Sequence, residues 1–201
     1  YTSIEQNKGN RELYLMNVDG SENVKITNTP KSESNARWIN DSQIIYMRSG
    51  KLYTATIEGS TLKNETEVAG AEGMESFELS PAGDKLMFIK SVKAAQKPTD
   101  VYADLDKSSG RTYEDLMYRH WDHFVEEVPH NYVATFDGKQ VSDITDILAG
   151  DTANPETDTK KFELPTLPFG GLEQLAWTPD GKYIAYSCRK LAGRDYAFST
   201  N

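Results

Sequence analysis

The chain holds a single cysteine, Cys188, so no internal disulfide is possible and the fold must stand on packing alone. Within its apolar stretch Cys188 reads as a small core residue rather than a nucleophile. No apolar run approaches the ~18–20 residues that span a bilayer as a helix, and no charged-then-apolar segment opens the chain. A membrane-spanning helix is therefore not expected. Lys and Arg total 22 against 31 Asp and Glu, a net charge of −9, and no basic cluster is visible. Nucleic-acid binding needs clustered cations to release counterions from phosphates, so it is not expected either. Also missing is any G-x-S-x-G elbow, which removes the nucleophile of an α/β-hydrolase triad; no catalytic residue is assigned. The acidic balance reads as a solvated surface.

What the sequence does contain is a repeat. One copy runs Trp177-Thr178-Pro179-Asp180-Gly181-Lys182-Tyr183-Ile184-Ala185-Tyr186, and another Leu79-Ser80-Pro81-Ala82-Gly83-Asp84-Lys85-Leu86-Met87-Phe88. A third, one residue shorter in the turn, runs Trp38-Ile39-Asn40-Asp41-Ser42-Gln43-Ile44-Ile45-Tyr46, and Tyr1-Thr2-Ser3 looks like the tail of a fourth. The closing aromatics fall at positions 1, 46, 88 and 186, in steps of 45, 42 and 98, the last two blades long. Four-stranded propeller blades recur at about 40–50 residues. The Pro and Gly of each centre supply turn dihedrals. The apolar run that follows, such as Leu86-Met87-Phe88-Ile89, suits a strand buried on both faces. The Trp or Leu heading each copy is expected to add large buried apolar area.

Between the copies lie hairpin signals: Leu13–Val18 into Asp19-Gly20, Leu52–Ile57 into Glu58-Gly59, and Asn131–Phe136 into Asp137-Gly138. Alternation around such turns marks half-exposed strands. The two patterns together predict an all-β chain. They make residues 1–201 an incomplete β-propeller of roughly three and a half to four four-stranded antiparallel blades. The other arrangement these strands allow is a sandwich, which has no reason to repeat a whole strand–turn–strand unit.

Around 91–130 the repeat is interrupted. Asp100–Asp106 reads as a possible strand, and Thr112-Tyr113-Glu114-Asp115 as the start of a short helix through Met117. The stretch Tyr118-Arg119-His120-Trp121-Asp122-His123-Phe124-Val125-Glu126-Glu127 follows, and residues 149–168 read as a long polar loop. Long structured loops in a compact repeat fold are commonly functional. His120, His123 and His130 lack a metal-ligand frame and read as structural, so no metal and no cofactor are assigned. Glu126 and Glu127 are adjacent carboxylates able to grip a peptide amino terminus through charge-assisted hydrogen bonds, or else exposed acids in a turn. Arg119 is read either as a substrate-carbonyl ligand or as the ion-pair partner of Asp122. Trp121 is read as an aromatic filling a blade interface.

The Trp177–Tyr186 unit resembles the WD40-like repeat shared by periplasmic translocation-type propellers and by serine peptidases of the prolyl oligopeptidase family. Leu116-Met117-Tyr118-Arg119-His120-Trp121-Asp122 is similar to the Arg-His-Trp-Asp stretch of dipeptidyl-peptidase and acylaminoacyl-peptidase-like members of that family. The resemblance implies a propeller that caps an α/β-hydrolase domain of the same longer chain, admits short peptides, and helps recognise their amino end. Glu126, Glu127, Arg119 and Trp121 are then the substrate-binding candidates, and a periplasmic or secreted location follows by the same analogy. It also implies that the hydrolase domain is not included. The competing expectation is a non-enzymatic periplasmic propeller that binds a protein or glycan partner.

Overall fold

The computed structural model describes residues 2–4, 9–93, 95–113, 119–120, 123–149, 162–166 and 170–188. For residues 2–4, 120 and 123 only the backbone is described. The chain is all-β, with every named strand pair antiparallel. Its strands are β1 (Thr2–Ile4), β2 (Arg11–Leu15), β3 (Val24–Lys25), β4 (Glu33–Asn40), β5 (Gln43–Arg48), β6 (Lys51–Glu58), β7 (Thr61–Glu67), β8 (Ser76–Leu79) and β9 (Lys85–Lys93). A one-turn helix α1 (Pro98–Val101) comes next. It is followed by β10 (Arg119–His120), β11 (His123–Phe124), β12 (Glu127–Phe136), β13 (Val141–Asp146), β14 (Leu175–Trp177) and β15 (Ile184–Tyr186).

Two sheets have four strands, ordered β4-β5-β6-β7 and β8-β9-β12-β13. Each is a meander in chain order, the second interrupted between β9 and β12 by the irregular segment that carries the β10–β11 hairpin. A three-stranded sheet β1-β2-β3 and a two-stranded sheet β14-β15 complete the described strands. All three full sequence copies become strand–turn–strand units, and the three Gly-containing hairpins become β2–β3, β6–β7 and β12–β13.

The chain divides into two compact units: Tyr1–Phe88 with Val133–Thr145 and Pro179–Lys182, and Ile89–Tyr132 with Asp146–Thr178 and Tyr183–Asn201. The first unit holds most of the apolar core. The all-apolar run of β5 is buried from Ile44 to Met47, and that of β9 from Leu86 onward, as expected for inner strands. Leu13, Ile44, Tyr46 and Ala55 form one cluster, with Ile26, Ala36, Tyr53, Ile57 and Leu62 packed on it, so residues of β2 and of the β4–β7 sheet share a core.

Still within this unit, Asn35 donates from Nδ2 to the carbonyl of Phe77 (2.8 Å), and Arg37 pairs with Glu78 (2.8 Å), joining β4 to β8. At the far edge, the Ala69 N–H reaches the Lys139 carbonyl (3.0 Å) and the Val141 N–H reaches the Ala69 carbonyl (2.8 Å). Gly70 follows at φ +76, and a Cβ there would stand 2.4 Å from the Val141 carbonyl oxygen, so only glycine fits this close approach.

A buried polar network lies in the same unit. Glu12 and Glu33 are fully buried, and the Thr27 hydroxyl sits 2.8 Å from one and 3.1 Å from the other while accepting the Leu13 N–H. Asn10 donates to Glu12, and Thr29 donates to Glu33 (2.6 Å). Arg48 reaches Glu33 (2.6 Å) and Glu65 (2.6 Å), with its guanidinium 5.5 Å and 5.0 Å from the Tyr46 and Tyr53 ring centres. Burial, with a hydrogen bond to Glu65 in support, pushes the Tyr46 phenol well above its usual range.

The turns explain why the repeat reads as it does. The Ser80 N–H bonds to the Lys85 carbonyl (2.9 Å) and the Lys85 N–H returns to Ser80 Oγ (3.0 Å), with Gly83 at φ +75. At the equivalent positions, the Thr178 N–H bonds to the Tyr183 carbonyl (2.9 Å) and the Tyr183 N–H returns to Thr178 Oγ1 (3.1 Å), with Gly181 at φ +68. The shorter third copy closes differently: Asn40 Oδ1 accepts the N–H groups of Ser42 and Gln43 (both 3.0 Å), an Asx turn.

Four expectations are corrected. The residues heading the copies are not core: Trp38 is 52% exposed, and Leu79 and Trp177 are only half-buried. Leu79 and Trp177 end their strands beside the turn, whereas Phe77 and Leu175, two positions earlier, are buried. The apolar run of the last copy is also open, with Tyr186 exposed and Cys188 half-buried beyond β15, because β14–β15 gains no third strand among the described residues. Asp100–Asp106 is not a strand. Pro98 presets the first turn of α1, the Asp100 carboxylate accepts the Lys97 N–H (2.7 Å), and turns follow. The helix anticipated from Thr112 through Met117 does not begin there, since Thr112 forms a bridge to Gln96 and Tyr113 is not helical; its remainder, 114–117, lies outside the described residues. No described helix is long and apolar enough to cross a membrane.

Candidate functional site

The candidate residues converge on the irregular segment between β9 and β12, within the second unit. Arg119 opens the hairpin β10–β11 and pairs across it with Phe124, as His120 pairs with His123. Such a pairing leaves a two-residue connection, Trp121-Asp122; both residues lie outside the described ones. The pairing of Arg119 with Asp122 and the packing of Trp121 lie outside them too. The Arg119 side chain is exposed, with its guanidinium 5.8 Å from the Phe124 ring centre.

The two adjacent acids have different surroundings. Glu126 is clamped: Lys97 Nζ lies 2.7 Å from Oε2, and Arg111 Nε bonds Oε1. Lys97 first, then Arg111, hold the Glu126 carboxyl below the usual range against a smaller effect of burial. Its backbone is fixed as well, since the Ala95 N–H bonds to the Glu126 carbonyl (3.1 Å) and the Glu126 N–H to the Phe124 carbonyl (3.0 Å). Glu127 begins β12, is exposed, and makes no ion pair among the described residues. The contrast follows from position: Glu126 lies just before β12, within reach of Lys97 and Arg111, and Glu127 opens the strand. Of the two carboxylates, Glu126 is the one held by ion pairs and Glu127 the more exposed.

Three residues that sequence reasoning passed over complete the site. Arg111 lies with its guanidinium 4.4 Å from the Phe124 ring centre, and Tyr113 stacks on the same ring at 6.4 Å and 20°. Lys97 shares Glu126 with Arg111. The only sequence signal for them is cationic and aromatic composition within the insertion; a separation of 15 positions between Arg111 and Glu126 matches no local spacing rule. Lys93 pairs separately with Asp100 (2.5 Å).

His130 is set apart from this cluster. It is 2% exposed, and its Nδ1 lies 2.8 Å from Asp146 Oδ2. Burial by itself would push the Asp146 carboxyl up, but the His130 bond and the Leu148 N–H (2.8 Å) outweigh it and hold the group below 3.8. A depressed carboxyl contributes stability above its unfolded value, and that contribution is lost as pH falls through the folded value. Urea midpoints measured on acidification should therefore fall more steeply below pH 3.8 in the native protein than in His130→Leu. Parallel acid limbs would exclude this pair as the cause. Among the described residues no three His, Cys, Asp or Glu side chains gather as metal ligands.

No protein-family model matches the chain. Over its whole length it is 34% identical to dipeptidyl-peptidase 5 of Porphyromonas gingivalis. It is 34% identical over 99% of its length to dipeptidyl-peptidase 5 of Porphyromonas endodontalis. Dipeptidyl-peptidase 5 of Aspergillus fumigatus is 26% identical over 83% of the chain. The chain spans 28% of the length of the two bacterial proteins and 24% of the fungal one. It is thus homologous to one part of a longer dipeptidyl peptidase.

Proposed function

We propose that this chain is the non-catalytic propeller portion of a serine exopeptidase of the dipeptidyl-peptidase type, in the prolyl oligopeptidase family. Its role is to gate and orient short peptides over a Ser-Asp-His hydrolase domain of the same longer protein. The observation that carries the reading is similarity, along essentially all of this chain, to part of dipeptidyl-peptidase 5 in two bacterial species. It is supported by successive four-stranded meanders, by the recurrence of one turn geometry at Ser80 and Thr178, and by the ties between first strands at Asn35–Phe77 and Arg37–Glu78. These are features of repeated blades. In this reading residues 1–201 hold about three and a half to four blades, with the insertion around 91–130 turned to function, and the location is periplasmic or secreted.

Within the insertion, Glu127 accepts the substrate's amino terminus, Arg119 binds a substrate carbonyl, and Trp121 is the third candidate contact for the peptide. Glu126 contributes mainly by fixing the strand start. The test uses the full-length protein and chromogenic dipeptidyl substrates. Glu127→Gln should raise KM about tenfold for free-amine substrates and leave amine-blocked ones unchanged. Glu126→Gln should raise it less. Equal effects on free and blocked substrates would remove the amine-binding role. Absence of dipeptide release by the unaltered full-length protein would remove the peptidase reading itself.

A further inference from the structure

Arg111 holds two different partners at once. The edge of its guanidinium bonds the Glu126 carboxylate through Nε and the Ser109 carbonyl through Nη1 (3.1 Å), while its face covers the Phe124 ring at 4.4 Å. Phe124 is 42% exposed, so hydrophobic burial alone would not immobilise it. Arg111 on one side and the stacked Tyr113 do so instead. Phe124 is in turn the cross-strand partner of Arg119 and the acceptor for the Glu126 N–H. Glu126 leads directly into Glu127 at the start of β12. Lys97 grips the second oxygen of the same carboxylate, and the Gln96–Thr112 bridge brings the Lys97 and Arg111 backbones side by side.

We propose that Arg111, assisted by Lys97, is a positioning residue: it locks Phe124 and Glu126 together so that Arg119 and Glu127 are presented as one preorganised pair. The chain of contacts is continuous on both branches, from Arg111 through Phe124 to Arg119 and from Arg111 through Glu126 to Glu127. Arginine is required rather than lysine because the job needs a flat face and a donating edge simultaneously. Holding ligand groups in place before binding lowers the ordering cost of association, so its loss is felt in substrate binding rather than in the chemical step.

This inference rests on the reading of the insertion as the peptide-binding face. It is tested in the full-length protein with free-amine and amine-blocked dipeptidyl substrates and two variants, Arg111→Met and Arg111→Lys. Arg111→Met should raise KM about five- to tenfold with kcat within about twofold of native. Arg111→Lys, which keeps charge but loses the planar face, should fall between. Amine-blocked substrates, which forgo the contact to Glu127, should show about half the Arg111→Met increase or less on a logarithmic scale, whereas a general weakening of the fold would raise KM for both alike. An unchanged KM, a parallel fall in kcat, or equal KM increases for free-amine and amine-blocked substrates would overturn the proposal. If the unaltered protein releases no dipeptides, the reading of function fails first; if it does and Arg111→Met keeps its KM, only this inference fails.

Discussion

Arg48→Met should destabilise the protein by about 3–5 kcal/mol, the loss typical of removing one partner from a buried ion pair. The Glu33 side chain is fully buried and Arg48 only 13% exposed, and no other cation touches Glu33 among the described residues. Without the guanidinium, Glu33 keeps Thr29 and a share of the Thr27 hydroxyl, which has one proton for two carboxylates. The faces of Tyr46 and Tyr53 lose their cation in the same substitution. Adding Glu33→Gln to Arg48→Met should restore part of the loss, because the remaining group is no longer a bare buried charge. The contrast is Lys51 with Glu67, a pair also in direct contact at 2.8 Å but open to solvent, where Lys51→Ala should barely move the urea midpoint. A midpoint for Arg48→Met close to that for Lys51→Ala would mean the network carries no stability.

Phe77→Ala should cost about 3–5 kcal/mol, whereas Leu79→Ala, two residues on in the same strand, should cost less than half as much. Phe77 is fully enclosed, and its carbonyl receives the Asn35 side chain, so a truncated ring leaves a cavity bounded by backbone that cannot collapse freely. Leu79 sits at the strand's end beside the Ser80 turn and is only half-buried. Equilibrium urea unfolding of the two variants decides the order. Equal losses would return the heading residue of the repeat to the core, where the sequence pattern alone had put it.

The repeat was legible because turns are local. Pro81 and Gly83, or Pro179 and Gly181, set dihedrals within a few residues, and Ser80 and Thr178 close each turn with bonds spanning five positions. The apolar runs of β5 and β9 were legible for a related reason: a strand without alternation must be covered on both faces. The Asp-Gly and Glu-Gly hairpins are equally short-range. What failed did so where a neighbour outside the local pattern decides. Burial of Trp38, Trp177 and Cys188 depends on which strands lie alongside, and nothing within ten residues of each specifies that. Asp100–Asp106 was misread because Pro98 and the Asp100 carboxylate turn the chain before any strand can form.

The candidate site divides along the same line. Arg119, Glu126 and Glu127 could be named from chemistry and adjacency, since adjacent carboxylates and an arginine are visible in one dimension. Their inequality could not. Glu126 is neutralised by Lys97 and Arg111, which lie 29 and 15 positions earlier, and Glu127 is exposed. Sequence alone thus determined strand identity, turn type and the segment in which to look. The tertiary structure alone decided which carboxylate is left open and what holds it, because ion pairing and ring stacking depend on distance in space and carry no fixed spacing along the chain.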